Sequence, residues 1–125
     1  MRVFAVDNVL DVVVTPQTFE RPADFNLDAY GANSVSGVRH GATDVEVTVR
    51  FSPVVAKAAA ASTIARDRRI ARRDDGTVEI TYRVVDPLEI VRWSLGWGAE
   101  AEVVAPEDAR QAAASIAREL AARYG

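Results

Sequence analysis

From position 44 onward the chain keeps one hydrophobic period and then switches to another. Val45, Val47, Val49 and Phe51 are apolar while Glu46, Thr48 and Arg50 are polar, the two-residue period of a strand with one buried face. Ser52 is a good helix cap and Pro53 a good first helical residue, so a helix is predicted over about 53–64. Ala58 to Ala61 give it high propensity and little bulk, which requires close packing. Two strands, 68–73 and 77–85, flank Asp74-Asp75-Gly76, a hairpin turn in which glycine supplies positive φ. Val78, Ile80, Tyr82 and Val84 form the inward row of the second. Asp86-Pro87, with Glu89 three positions after the cap, starts another helix. It carries Leu88, Val91 and Leu95 on one side and Trp93 off it, and Gly96 and Gly98 stop it. Positions 100–104 read as a fourth strand. Pro106 opens a last helix in which Ala109, Ala113, Ile116 and Leu120 make one buried stripe.

That order predicts an α+β fold, a ferredoxin-like βαββαβ layer with an extra C-terminal helix. Short N-terminal β-strands and a connector precede it. Positions 2–15 hold β-branched runs interrupted at Asp7-Asn8, which predicts two short strands around a turn. Two strands alone make a marginal sheet. These need partners, within the chain or in a second one. Over 16–43, Pro16, Pro22, Gly31, Gly37 and Gly41 punctuate a polar run containing Phe19, Phe25, Leu27 and Tyr30. A connector pinned by a few anchors is expected there, with a helical turn around 26–30.

The bulk composition narrows the classes. A chain of 125 residues, 49% hydrophobic and 26% charged, reads as one globular domain. It has no apolar run near the roughly 20 residues of a membrane span, and no secretory leader, so a cytoplasmic location is expected. The absence of cysteine excludes disulfides, thiolate metal sites and thiol catalysis. A net charge of −3 argues against gripping duplex DNA unaided, because neutralising phosphates takes a surplus of Lys and Arg.

Candidate chemistry concentrates in Arg66-Asp-Arg-Arg-Ile-Ala-Arg-Arg73. Arg66, Arg68, Arg69, Arg72 and Arg73 could form an edge that binds phosphate or single-stranded nucleic acid, since Arg forks match phosphate oxygens. The competing reading is a solvated edge strand guarded by charge. Alternation sends Arg69 and Arg73 to the side opposite Ile70, and Asp74 and Asp75 dilute the field. The outward sheet positions, Glu46, Thr48, Arg50, Glu79, Thr81, Arg83, Glu100 and Glu102, include no aromatic, so base stacking on that face is not expected. Trp93 and Trp97 read either as interface anchors, together with Phe4 and Val6, or as cover for the core rim. His40 is the only histidine and stands without a metal-ligand or triad pattern. Neither an enzyme, a cofactor nor a metal is expected.

Several of these pieces also carry a family resemblance. Arg2-Val-Phe4 resembles the last strands of a WYL domain, and Phe19-Glu-Arg-Pro-Ala-Asp-Phe25 is similar to that family's connector. Val49-Arg-Phe-Ser-Pro-Val-Val55, Asp75-Gly76, Trp93-Ser-Leu-Gly-Trp-Gly98, Ala101-Glu-Val-Val-Ala-Pro106 and Tyr124-Gly125 resemble the C-terminal extension called WCX. Taken in order and spacing, they make the chain look like the C-terminal region of a WYL-domain transcriptional regulator.

The resemblance implies three parts: a remnant of the last WYL strands at 1–18, an anchored connector at 19–43, and a WCX domain at 44–125. Members of the family carry a winged helix-turn-helix, an Sm-like WYL domain and then this extension. They sense a ligand, in several cases a nucleic acid, and commonly dimerise through their C-terminal parts. The helix-turn-helix and the Trp-Tyr-Leu signature do not occur in this sequence, so it reads as a piece of such a regulator without its DNA-binding activity. The expected function is that of a bacterial regulatory module that mediates dimerisation and contributes to sensing a nucleic-acid or nucleotide effector. The alternative is a stand-alone phosphate or single-strand binding module using the arginine edge. A homodimer formed by exchange of the N-terminal strands is the expected assembly, with no duplex DNA bound by this piece alone and no membrane partner.

Overall fold

The alternating segment at 45–51 becomes a central strand, and the rest of the domain is built outward from it. The computed structural model describes residues 4–28 and 44–125. Its elements are β1 (Val45–Phe51), α1 (Ala56–Ala61), β2 (Arg68–Arg72), β3 (Val78–Val84), α2 (Pro87–Leu95), β4 (Ala101–Ala105) and α3 (Glu107–Tyr124). The strands form one four-stranded sheet in the order β2-β3-β1-β4, with every neighbouring pair antiparallel.

Register follows from the period-two pattern. Val47 pairs with Tyr82, Val49 with Ile80 and Phe51 with Val78, so the apolar rows of β1 and β3 share one face. All six are buried, and the helices cover them with Ala56 and Ala59 from α1, Ile90 and Val91 from α2 and Ala109 from α3. Burying one such aliphatic or aromatic side chain is worth about 1.5–3 kcal/mol, so this face carries most of the fold's stability. Helix α2 starts as its sequence predicts. The Asp86 carboxylate accepts a bond from the Leu88 amide at 2.9 Å, and Pro87 occupies the first turn. Gly76 closes the β2–β3 hairpin at φ 87°, where a Cβ would also come within 3.2 Å of Pro53.

Several expectations are corrected. Helix α1 begins at Ala56 instead of 53, and Val55 precedes it without a side-chain cap. The Ser52 hydroxyl is engaged elsewhere, donating to the Glu100 carboxylate, while the Ser52 amide donates to the Glu100 carbonyl. Glu100 therefore lies in a 3-10 turn, Gly98–Glu100, that clasps the end of β1, and not on the open sheet face. The stripe of α3 holds through Ile116, but Leu120 is 44% exposed because the helix outruns the sheet beneath it.

The two N-terminal strands are absent among the described residues 4–15, where the chain makes only a 3-10 turn at Val6–Asn8. A strand needs a neighbour for its backbone groups, and no strand of the sheet lies alongside. Within the connector, Phe19 is 89% and Leu27 64% exposed, while Phe25 is half-buried with the Arg21 guanidinium 5.2 Å from its ring centre. Tyr30, His40, the connector glycines and the far end of the turn expected at 26–30 lie outside the described residues.

Candidate functional site

The arginine segment does not present one surface, and strand geometry explains why. Ile70 pairs with Ile80, which points Arg68, Ile70 and Arg72 toward the helices and Arg69 toward the open face of the sheet. On that open face Arg69 makes a two-pronged contact with Glu46, at 2.8 and 3.2 Å. Arg73, just past β2, reaches Glu79 at 2.7 Å, and Glu79 also holds Arg50 at 2.8 Å. Arg50 continues to Glu102 at 3.6 Å, and Glu102 to Arg110 at 3.0 Å. Thr48 and Thr81 share a hydroxyl hydrogen bond of 2.9 Å between these charged rows.

The open face is thus a lattice of alternating charge that satisfies itself. Its guanidiniums hold two carboxyls below their ordinary range: Glu46 through the hydrogen bond from Arg69, and Glu79 through Arg50 first and Arg73 second. Asp75 in the hairpin is lowered by its bonds from the Thr77 hydroxyl and amide.

The remaining arginines have other fates. Arg66 pairs with Asp28 at 3.3 Å, both well exposed. Arg68 donates to the Ala60 carbonyl at 3.1 Å, tying β2 to α1. Its Nη1 and the Tyr82 hydroxyl are both buried without a hydrogen-bond partner among the described residues. Burial pushes the Tyr82 hydroxyl well above the usual tyrosine range, although the Arg68 charge opposes that. Arg72 is exposed, with no ion pair among the described residues.

Arg72 faces a groove of about 420 Å³ between α1 and the β2–β3 hairpin. The alanines of α1 form one wall, with Lys57 at its lip, and Val78 and Thr77 lie against it. Lys57 is the chain's only lysine and is also unpaired among the described residues. Sequence reasoning passed over Lys57 because it stands alone in an alanine run. The signal available was its place beside the small-residue wall of a slim helix.

The tryptophans are placed more firmly against the core than expected. Trp93 packs edge-on against Tyr82 at 5.7 Å and Phe51 at 6.0 Å, and Trp97 against Phe51 at 5.8 Å. The two indoles meet at 5.7 Å. Trp93 was expected off the main core side, yet it and Trp97 join a four-ring cluster and stay only half exposed. Phe4 and Val6 are exposed, at 74% and 82%. They belong to a run in which Val9, Leu10, Val12, Val13 and Val14 also lie in solvent.

Among the described residues no group of acidic or histidine side chains could hold a metal ion, and no helix is long and apolar enough to cross a membrane. A family model, the WCX domain, matches residues 43–121, a span that starts just before β1 and ends within α3. No curated protein is significantly similar to the chain.

Proposed function

The chain belongs to the WCX domain family, the C-terminal extension found in WYL-domain regulators, and from that premise we propose that it serves a bacterial WYL-type transcription factor first as an assembly device and second as an effector-sensing surface. Its fold is read as ferredoxin-like. Support for this comes from β1 pairing with both β3 and β4, with a helix in each of the connections β1–β2 and β3–β4.

The observation that carries the assembly reading is the N-terminal arm. Leu10 is fully exposed, and Val12, Val13 and Val14 are 75%, 76% and 93% exposed, a run of β-prone side chains that no described residue covers. Such a segment gains most by adding to a free sheet edge, and in a homodimer two arms do so reciprocally. Of the two edges, β2 is guarded by Arg68, Arg69 and Arg72, whereas β4 carries a single charge, Glu102. The arm of one copy therefore pairs with β4 of the other. The alternative, an arginine edge acting as one single-strand binding surface, is less well supported. Its members divide between two faces, and Arg66, Arg69 and Arg73 are already ion-paired.

Light-scattering mass of the full chain at tens of micromolar tests the assembly reading. A dimer is expected, falling to monomer when Leu10 and Val13 are both changed to Glu. A clean monomer of the unaltered chain would sink it.

A further inference from the structure

We propose that the groove between α1 and the β2–β3 hairpin is a binding site for a terminal phosphate, a phosphomonoester borne by a nucleotide or by the end of a short single strand. The inference rests on the effector-sensing half of the proposed function and gives it an address.

Three features of the groove combine. First, its volume of about 420 Å³ falls within the usual range for small-molecule sites. Second, Lys57 and Arg72 approach it from opposite walls, and among the described residues neither is ion-paired to a carboxylate, unlike Arg66, Arg69 and Arg73. A monoester carries close to two negative charges near neutral pH, whereas a backbone diester carries one, so two free cations match the monoester. Third, Ala56, Ala60 and Val78 provide an apolar wall beside those cations, suited to the body that bears the phosphate.

Two acids, Asp74 and Asp75, stand in the adjoining turn and dilute this field without joining the groove's lining. Among the described residues no carboxylate lines the groove. The exposed Asp75 carboxylate is engaged within its own turn, accepting bonds from the Thr77 amide at 2.9 Å and the Thr77 hydroxyl at 2.6 Å.

The single lysine makes the site directly observable. Reductive ¹³C-methylation labels Lys57 and the N-terminal amine while keeping their charge. The full chain is then titrated with inorganic phosphate, adenosine, AMP, and a three-nucleotide strand with and without its 5′-phosphate. The expected result is that AMP or the phosphorylated strand shifts the Lys57 signal, while adenosine and the unphosphorylated strand do not. Which of the two binds tighter identifies the source of the phosphate, and a response to inorganic phosphate alone as strong as to either assigns the site to the free anion.

Arg72→Gln should weaken that binding about tenfold, the effect of losing one charged hydrogen bond, and Arg69→Gln should leave it unchanged. Both side chains are exposed, and an unchanged near-ultraviolet signal from the tryptophan cluster checks that each variant is folded. Binding that survives Arg72→Gln and fails in Arg69→Gln would overturn the groove while leaving effector sensing in place. No response to any phosphate-bearing probe at millimolar concentration would overturn both, without touching the assembly reading, which is judged by mass.

Discussion

Two stretches of this chain are similarly rich in β-branched and aromatic residues and meet opposite fates. In β1, Val47, Val49 and Phe51 are completely buried. In the arm, Val9, Leu10, Val12, Val13 and Val14 range from 47% to 100% exposed. Composition does not separate them. Position in the pairing scheme does: β1 lies between β3 and β4, with helices over its apolar row, while among the described residues the arm has no strand beside it. Apolar residues secure burial only where the topology supplies a surface to cover them.

The contrast can be broken or sharpened by substitution. The largest effect is expected at the centre of the layer. Phe51→Ala removes a fully buried ring that touches both tryptophans, and should cost about 4 kcal/mol, read as a fall in the urea midpoint. A cost below about 1 kcal/mol would mean the aromatic cluster is not a packed core. Asp86→Ala takes away the cap on α2 and should cost about 1 kcal/mol in the same assay.

Next in size is the charged lattice on the open face. Glu79→Gln leaves Arg50 and Arg73 without their shared carboxylate and should cost about 0.5 kcal/mol at neutral pH. The sign with pH is fixed. Glu79 is held below its ordinary value of 4.5 in the fold, so its contribution is present above that value and is lost as the pH falls through the folded one. The gap between the parent and Glu79→Gln should therefore close on acidification. A gap that widens would contradict the ion-pair account.

At the small end, Leu10→Glu should change the stability of the dilute monomer by less than about 0.5 kcal/mol, because its side chain touches nothing that folding buries. If it unfolds the chain as Phe51→Ala does, the arm belongs to the core and the contrast fails.

Most of the layer from 44 onward was readable in the sequence because each element announced itself twice, by period and by punctuation. Val45–Phe51 alternates, Asp86-Pro87 caps, and Gly76 turns, and all three sit where their chemistry predicts. Two of the misreadings share a cause, a side chain captured by a distant partner. Ser52 looks like a cap and instead donates to Glu100, 48 positions away. Trp93 looks peripheral on its own helix, yet the sheet rises to meet it through Tyr82 and Phe51.

The candidate site was legible in part. Alternation separated Arg69 from Arg72, but which arginine keeps a free charge depends on carboxylates from other strands, Glu46 and Glu79. Lys57 could be assigned no role until α1 was set against the hairpin. The arm's strands are not formed within the single chain, because β-propensity reports a preference for pairing and says nothing about where the partner is.

Amide hydrogen exchange at low and high protein concentration tests the central claim most directly. Amides of β1 and β3 should be protected at both concentrations, and those of Val9 to Val14 only where the chain is dimeric. Protection of the arm that is equally strong in the dilute monomer, or absent even from the dimer, would contradict the account.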